Sequence, residues 1–182
     1  MKFRSTLLLA ASMVAAGATQ AATYDFGPHA AVELSALLGG GAGGAAPGSF
    51  SDFFTFELSG GPQVVSSSVV ALNNGTVLSI TGGQYALLSF GANGVFDNGG
   101  GDDQVAPGSL HTFDGTTGST THALTLGPGK YYYAVVGSAG GSVGGYYTLS
   151  STVTPVPEPH TQLLMLAGLS AFGFIAARRK SR

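Results

Sequence analysis

FSDFFTFELSG, residues 50 to 60, reads as an extended segment. In a strand, Phe50, Asp52, Phe54, Phe56 and Leu58 point to one side, because side chains alternate with period two. Four of these five are apolar, so that side faces a core. The fifth is a carboxylate, and an isolated buried charge is too costly to expect. The run GGAAPGS lies just before it. Asp52 is therefore expected at the start of the strand, its carboxylate bonded to nearby backbone N–H groups that it holds in a turn. The core face then begins at Phe54, and Phe50 closes over the strand end from the loop.

Outward from this segment, strand-like runs recur at short intervals: Gln63–Leu72, Thr76–Ile80, Gln84–Phe90, Thr121–Leu126, Tyr131–Val136 and Tyr146–Val153. Turn residues separate them, at Gly60-Gly61-Pro62, Asn73-Asn74-Gly75, Gly82-Gly83 and Gly127-Pro128-Gly129. Asn74-Gly75 between two β-branched runs is a hairpin signal. Seven short strands with such spacing predict an antiparallel sandwich or barrel. HAAVELSALL, from His29, fits a short helix or a strand, and residues 39–49 form a glycine loop. Of 182 residues, 30 are glycine and 44% are hydrophobic while only 9% are charged. That balance supports a packed core and disfavours both disorder and long helices.

The charges are segregated. Of seven lysines and arginines, all but Lys130 lie at the termini, so residues 22–157 hold eight acids against one base, a net of −7. Nucleic acid is excluded as a partner, since nothing there neutralises phosphates. The absence of cysteine excludes disulfides, thiolate zinc sites and a cysteine nucleophile.

The two ends read as addresses. MKFRSTLLLAASMVAAGATQAA has a basic start, an apolar run and small residues, which is a secretory signal peptide over residues 1–22. Cleavage is expected after Ala21 or Ala22, with Ala16-x-Ala18 as the alternative. At the other end, a proline-rich stop precedes about 17 mostly apolar residues, 161–177, and a basic tail. A helix of that length covers roughly 25 Å, thin but sufficient for a bilayer. The basic tail would stay cytoplasmic and leave the preceding chain outside.

Pro157-Glu158-Pro159, the adjoining hydrophobic helix and the terminal run with Arg178 and Arg179 together resemble the PEP-CTERM sorting signal of Gram-negative bacteria that make exopolysaccharide. The resemblance covers residues 155–182. It implies an exosortase, a membrane-embedded transpeptidase-like enzyme, as processing partner. It also implies an inner-membrane stage and a final place at or beyond the cell surface. LGPGKYYYAVVGSAGGSVGGYYTLSSTV, read as a strand, a long glycine hairpin and a final strand, is similar to the closing motif of the bacterial pre-peptidase C-terminal domain. That resemblance implies a jelly-roll-like β sandwich over residues 23–154. Phe50-x-Asp52-x-Phe54 resembles the signature of the FxDxF family of PEP-CTERM proteins, small exported proteins with no established enzymatic activity.

Motifs that carry chemistry are few. Gly39-x-Gly41-x-x-Gly44 matches a dinucleotide fingerprint, but Ala45-Ala46-Pro47-Gly48 follows and starts no helix to hold a pyrophosphate. Gly140-x-Ser142-x-Gly144 matches a hydrolase nucleophile elbow, yet a strand follows where a helix is required. It reads as a flexible hairpin loop. His29, His111 and His122 lack metal-ligand spacing, and His122 is expected at a partly buried or edge position. Asp97, Asn98, Asp102 and Asp103 put four oxygen-bearing side chains into FDNGGGDD, the hard ligands calcium takes. A solvated acidic loop is the other reading of the same residues, and no other metal or cofactor is expected. Tyr131, Tyr132, Tyr133, Tyr146 and Tyr147 suit either core packing or an aromatic platform for sugars. The expectation is an all-β, non-enzymatic surface or matrix protein with a structural or adhesive role linked to exopolysaccharide. The alternative is a carbohydrate- or calcium-binding recognition module.

Overall fold

A computed structural model describes residues 20–29, 32–39, 48–116, 120–156, 163–170 and 172. Among them the alternating segments fold as ten strands in two sheets. These are β1 (Gln20–Pro28), β2 (Val32–Gly39), β3 (Gly48–Leu58), β4 (Gln63–Leu72), β5 (Ile80–Ser89), β6 (Gln104–Val105), β7 (His111–Phe113), β8 (His122–Leu126), β9 (Gly129–Ala139) and β10 (Gly145–Pro155). One sheet runs β1-β3-β9-β5-β6, with β7 also on β5; the other runs β2-β10-β4-β8. In the ambiguous run from His29, the described residues from Val32 onward are strand rather than helix.

Successive strands change sheet at nearly every connection, which has two consequences. First, β1, β2 and β3 go out, back across the other sheet, and out again, so β1 and β3 pair in parallel within an otherwise antiparallel domain. Second, the glycine turns are corners between sheets. Gly60-Gly61-Pro62 carries the chain from β3 to β4, and Gly127-Pro128 from β8 to β9. The expected hairpin of β9 and β10 is likewise a corner, since the two strands lie in different sheets.

Two predicted elements differ for local reasons. Residues 76–79 form no strand, and Ile80 already opens β5. The Asn74 and Leu78 backbones bond across a tight turn, with Gly75 at φ +56°, and the chain then crosses to the other sheet. Asn73 Oδ1 accepts from the Ile80 amide at 2.9 Å and fixes that crossing. Gly82-Gly83 ends nothing: it is a bulge inside β5, where the register to β9 slips between Thr81 and Gln84 and Gly82 takes φ +62°.

The core lies between the sheets. Phe50, Phe54, Phe56 and Leu58 of β3 and Tyr133 and Val135 of β9 pack against Val65, Val69, Tyr147 and Leu149. The opposite face of β3 and β9 is buried too, because Phe53, Tyr132 and Ala134 pack with Ala86 and Leu88 under Phe90, Phe96, Val105 and Leu110. That second cover comes from the excursion between β5 and β7, so residues 50–55 are buried on both faces.

The helical residues, 163–170 and 172, are exposed. No helix among the described residues is long and apolar enough to cross a membrane. The remainder of the helix predicted over 161–177 lies outside the described residues. So do Pro157, Glu158, Pro159, Arg178, Arg179 and the first 19 residues of the signal segment. The boundaries predicted at 22/23 and 154/155 fall within β1 and β10.

Candidate functional site

The acidic run lies in the loop that joins β5 to β6, two neighbouring strands of one sheet. The chain turns sharply there because Gly91, Gly94, Asn98, Gly99 and Gly101 all take positive φ. The carboxylates fold back onto this glycine backbone. A Cβ on Gly91 would lie 2.4 Å from the Asp102 carbonyl oxygen, and one on Gly101 would lie 2.1 Å from Asp97 Oδ2. Only glycine leaves room for the acids in this position.

Each of the three acids has one oxygen held by donors. Asp102 Oδ2 accepts from the Ala92 and Asn93 amides at 2.7 and 3.0 Å, and Asp97 Oδ2 accepts from the Asn93 side chain at 3.0 Å. Asp103 Oδ2 accepts from the Asp97 amide at 3.0 Å and the Tyr132 hydroxyl at 2.9 Å. The other oxygens of Asp102 and Asp103 are buried without any donor. One oxygen from each of Asp97, Asp102 and Asp103 lies within 4.8 Å of the others. The structure thus brings the three acids among the four predicted ligands together, and Asn98 forms an exposed left-handed corner of the same loop at φ 56°. Tyr132, which anchors the site to the core, was not legible as part of it. Burial, then the bond to Asp103 and its charge, push the Tyr132 phenol well up.

Asp52 stands elsewhere than expected. It is the fifth residue of β3, 1% exposed and flanked by β1 and β9. Phe50 is likewise a core residue of the strand and not a lid from the loop. The principal partner of the carboxylate is a side chain on the opposite sheet, not turn backbone: Tyr147 Oη donates to Asp52 Oδ2 at 2.6 Å. Burial raises the Asp52 pKa, opposed by this bond and more weakly by the backbone of Ala22, its register partner on β1. Burial and the Asp52 charge push the Tyr147 phenol far up. The strand interior is where the core supplies a hydroxyl partner, so the predicted turn role falls away.

The histidines are placed by sheet pairing rather than by sequence spacing. His111 on β7 and His122 on β8 stack with ring centroids 3.4 Å apart and planes at 11°, beside Tyr85. Burial, then proximity to His122, lowers the His111 pKa. His29 bonds Ser151 Oγ at 2.8 Å, and Ser151 in turn meets the Tyr133 hydroxyl at 2.9 Å.

Tyr132, Tyr133 and Tyr147 are buried and Tyr131 is half-buried, so the tyrosines form core rather than a sugar platform. Only Tyr146 stands out, at 38% exposure. An open groove of about 340 Å³ lies instead along Thr23, Asp25, Thr55, Glu57, Lys130, Phe90 and Phe96. Its Asp25 carboxyl sits below the usual range because the Gly27 amide and the Thr55 hydroxyl donate to it. Gly140-x-Ser142-x-Gly144 is no elbow. Ser142 and Val143 donate backbone bonds to Thr76 and Val77, and Gly140 to Ser79, so this corner is pinned to the crossing segment. The Gly39 motif separates two strands, with residues 40–47 outside the described set.

The fold and its C-terminal segment define an all-β domain that carries a sorting address. Residues 155–180 match the PEP-CTERM protein-sorting motif, which marks the chain as exosortase-sorted and implies export with a membrane-anchored stage before processing. Comparison with curated protein sequences gives no match. Among solved structures, the chain is similar to the pre-peptidase C-terminal domain of a Bacillus anthracis collagenase. That likeness has 18% identity and TM-score 0.34, covering 71% of this chain and 94% of that one. It is also similar to PliG, a periplasmic inhibitor of g-type lysozyme from Salmonella Typhimurium, at 12% identity, TM-score 0.34 and coverage of 72% and 98%. A third is CorA, a surface-associated copper-binding protein of Methylomicrobium album BG8, at 12% identity, TM-score 0.35 and coverage of 75% and 100%. At these values the likenesses carry no inference about ligand or activity.

Proposed function

We propose that this chain is a non-enzymatic surface or matrix protein whose β sandwich serves a structural or adhesive role in exopolysaccharide. The observation that carries the reading is the position of the sorting motif. It begins at residue 155, where β10 ends, so processing near Pro157-Glu158-Pro159 leaves both sheets whole. The polar groups inside the sandwich support the same reading, since Tyr147 and Ser151 of β10 are engaged across the core with Asp52 of β3 and Tyr133 of β9. The test is to replace Pro157-Glu158-Pro159 by alanines, or to delete the exosortase, and follow the chain by size and fractionation. Accumulation of an unprocessed form in the inner membrane is expected. Unchanged size and location would overturn the sorting half of the reading. Loss of the protein from the exopolysaccharide fraction is the readout for the matrix half.

A second reading, carbohydrate recognition, draws on the groove, where Asp25, Glu57 and Lys130 stand beside Phe90 and Phe96. Such a mixture of charged and aromatic side chains is what a sugar site uses for its hydroxyls and its apolar face. Reproducible glycan-array binding that Lys130→Ala abolishes would favour this reading over a purely structural one.

A further inference from the structure

We propose that Asp97, Asp102 and Asp103 form a calcium-binding site, independent of the sorting reading above. Three carboxylates converge within 4.8 Å, and like charges this close repel. Hydrogen bonds do not exhaust them. The donors, which are the Ala92, Asn93, Asp97 and Gly99 amides and the Asn93 side chain from the loop and the Tyr132 hydroxyl from β9, all go to Oδ2 atoms. The Oδ1 atoms of Asp102 and Asp103 are left buried with no donor.

Asp103 is the decisive residue. It is only 8% exposed, so water does not freely solvate its carboxylate. A buried acceptor with no partner costs free energy comparable to a lost hydrogen bond, and more when it is charged. The single base of residues 22–157 is Lys130, which stands in the neighbouring groove with Asp25 and Glu57. A divalent cation removes both costs at once. It neutralises the convergence, and it takes the oxygens that no N–H reaches.

The donor set selects the ion. Carboxylate oxygens alone, with no histidine or thiolate, suit a hard cation, and a loop of glycine turns tolerates the irregular 6–8-coordinate shell of calcium better than the octahedron of magnesium. Water completes the shell on the exposed side, where Asn98 and Gly101 face solvent. A site of three carboxylates on an exported module belongs to the weak class, with Kd of about 10⁻⁴ to 10⁻³ M. Bound calcium would tie the loop to Tyr132, and so to the second apolar cluster beneath it.

The test is isothermal titration of the purified, chelator-treated full chain with calcium chloride, alongside thermal melts with calcium and with chelator. Saturable heat and a higher Tm in calcium are expected. Asp102→Asn should weaken binding at least about tenfold by removing one ligand charge. Asp103→Asn risks the fold through its bond to Tyr132, so Asp97→Asn serves as the second variant, each checked by far-UV circular dichroism. No heat from the folded wild-type chain at about 10 mM calcium, well above that class of Kd, would overturn the site. So would calcium heat that Asp102→Asn and Asp97→Asn both leave unchanged.

Discussion

The Tyr147 hydroxyl donates to Asp52 Oδ2 across 2.6 Å, joining residues 95 apart and an inner strand of each sheet. A hydrogen bond to a charged group contributes about 1.5–3 kcal/mol, and Asp52 has no second donor to its Oδ1. Tyr147→Phe is therefore expected to destabilise the domain by about 1–3 kcal/mol at neutral pH, measured by chemical denaturation. Burial raises the Asp52 pKa above 3.8. The stability tied to its proton is therefore fully present below 3.8 and lost as pH rises through the folded value. The Tyr147→Phe penalty should accordingly shrink in acid, where the bond is no longer charge-assisted. Asp52→Asn should be mild and should reduce the cost of Tyr147→Phe in the double variant; additive costs would refute the coupling.

The stacked pair His111 and His122 closes the end where β7 of one sheet meets β8 of the other. The His111 pKa is lowered from 6.5, so the unfolded chain takes its proton first. Stability from this group is present above 6.5 and is lost as pH falls through the folded value. Thermal melts between about pH 8 and pH 5 should show Tm falling on the acid side of that window. His111→Gln should flatten the slope, and a slope that survives it would assign the effect to other groups.

The corner between β9 and β10 makes a steric prediction. A Cβ on Gly141 would sit 2.3 Å from the Val77 carbonyl oxygen and 2.6 Å from that of Gly144, both backbone, whereas Gly127 has open space around it. Gly141→Ala should cost about 1–3 kcal/mol by overpacking, while Gly127→Ala should stay within about 1 kcal/mol of wild type. Equal unfolding midpoints for the two variants would contradict the pinned corner.

The start of β1 bears on processing. Gln20, Ala21 and Ala22 already pair with Phe50, Ser51 and Asp52, so cleavage after Ala21 or Ala22 would shorten the strand beside the buried carboxylate. Cleavage after Ala18 would leave β1 intact. Amino-terminal sequencing of the exported chain is expected to read Thr19 first; a start at Ala22 or Thr23 would show that the first pairs of β1 are dispensable.

What could be read in advance depended on how far apart the interacting residues lie. The limits of β4 were legible because Gln63–Leu72 is bracketed by glycine-proline and asparagine turns. The alternation in β3 was legible because period two is a local property. Gly82-Gly83 was not, since a glycine pair looks the same in a turn and in a bulge, and only the register to β9 distinguishes them. The acids of the loop lie within seven residues and were recognisable as a cluster. Tyr132, 29 residues from Asp103, and Tyr147, 95 from Asp52, were not. Burial on both faces of β3 also escaped the pattern, because the cover over Phe53 comes from an irregular excursion.

β10 ends at Pro155, and Val156 is bonded to Pro62 just before the sorting segment begins. Anything that grips the chain by its C-terminal side therefore pulls on β10 along its own axis. That strand is laddered on both flanks, to β2 over Gly145–Thr152 and to β4 over Tyr146–Pro155. Its bonds run across the strand direction. Lengthwise tension therefore loads them together in shear instead of peeling them one at a time. A pull applied from the C-terminal side would have to break both ladders of β10 together before either sheet opened.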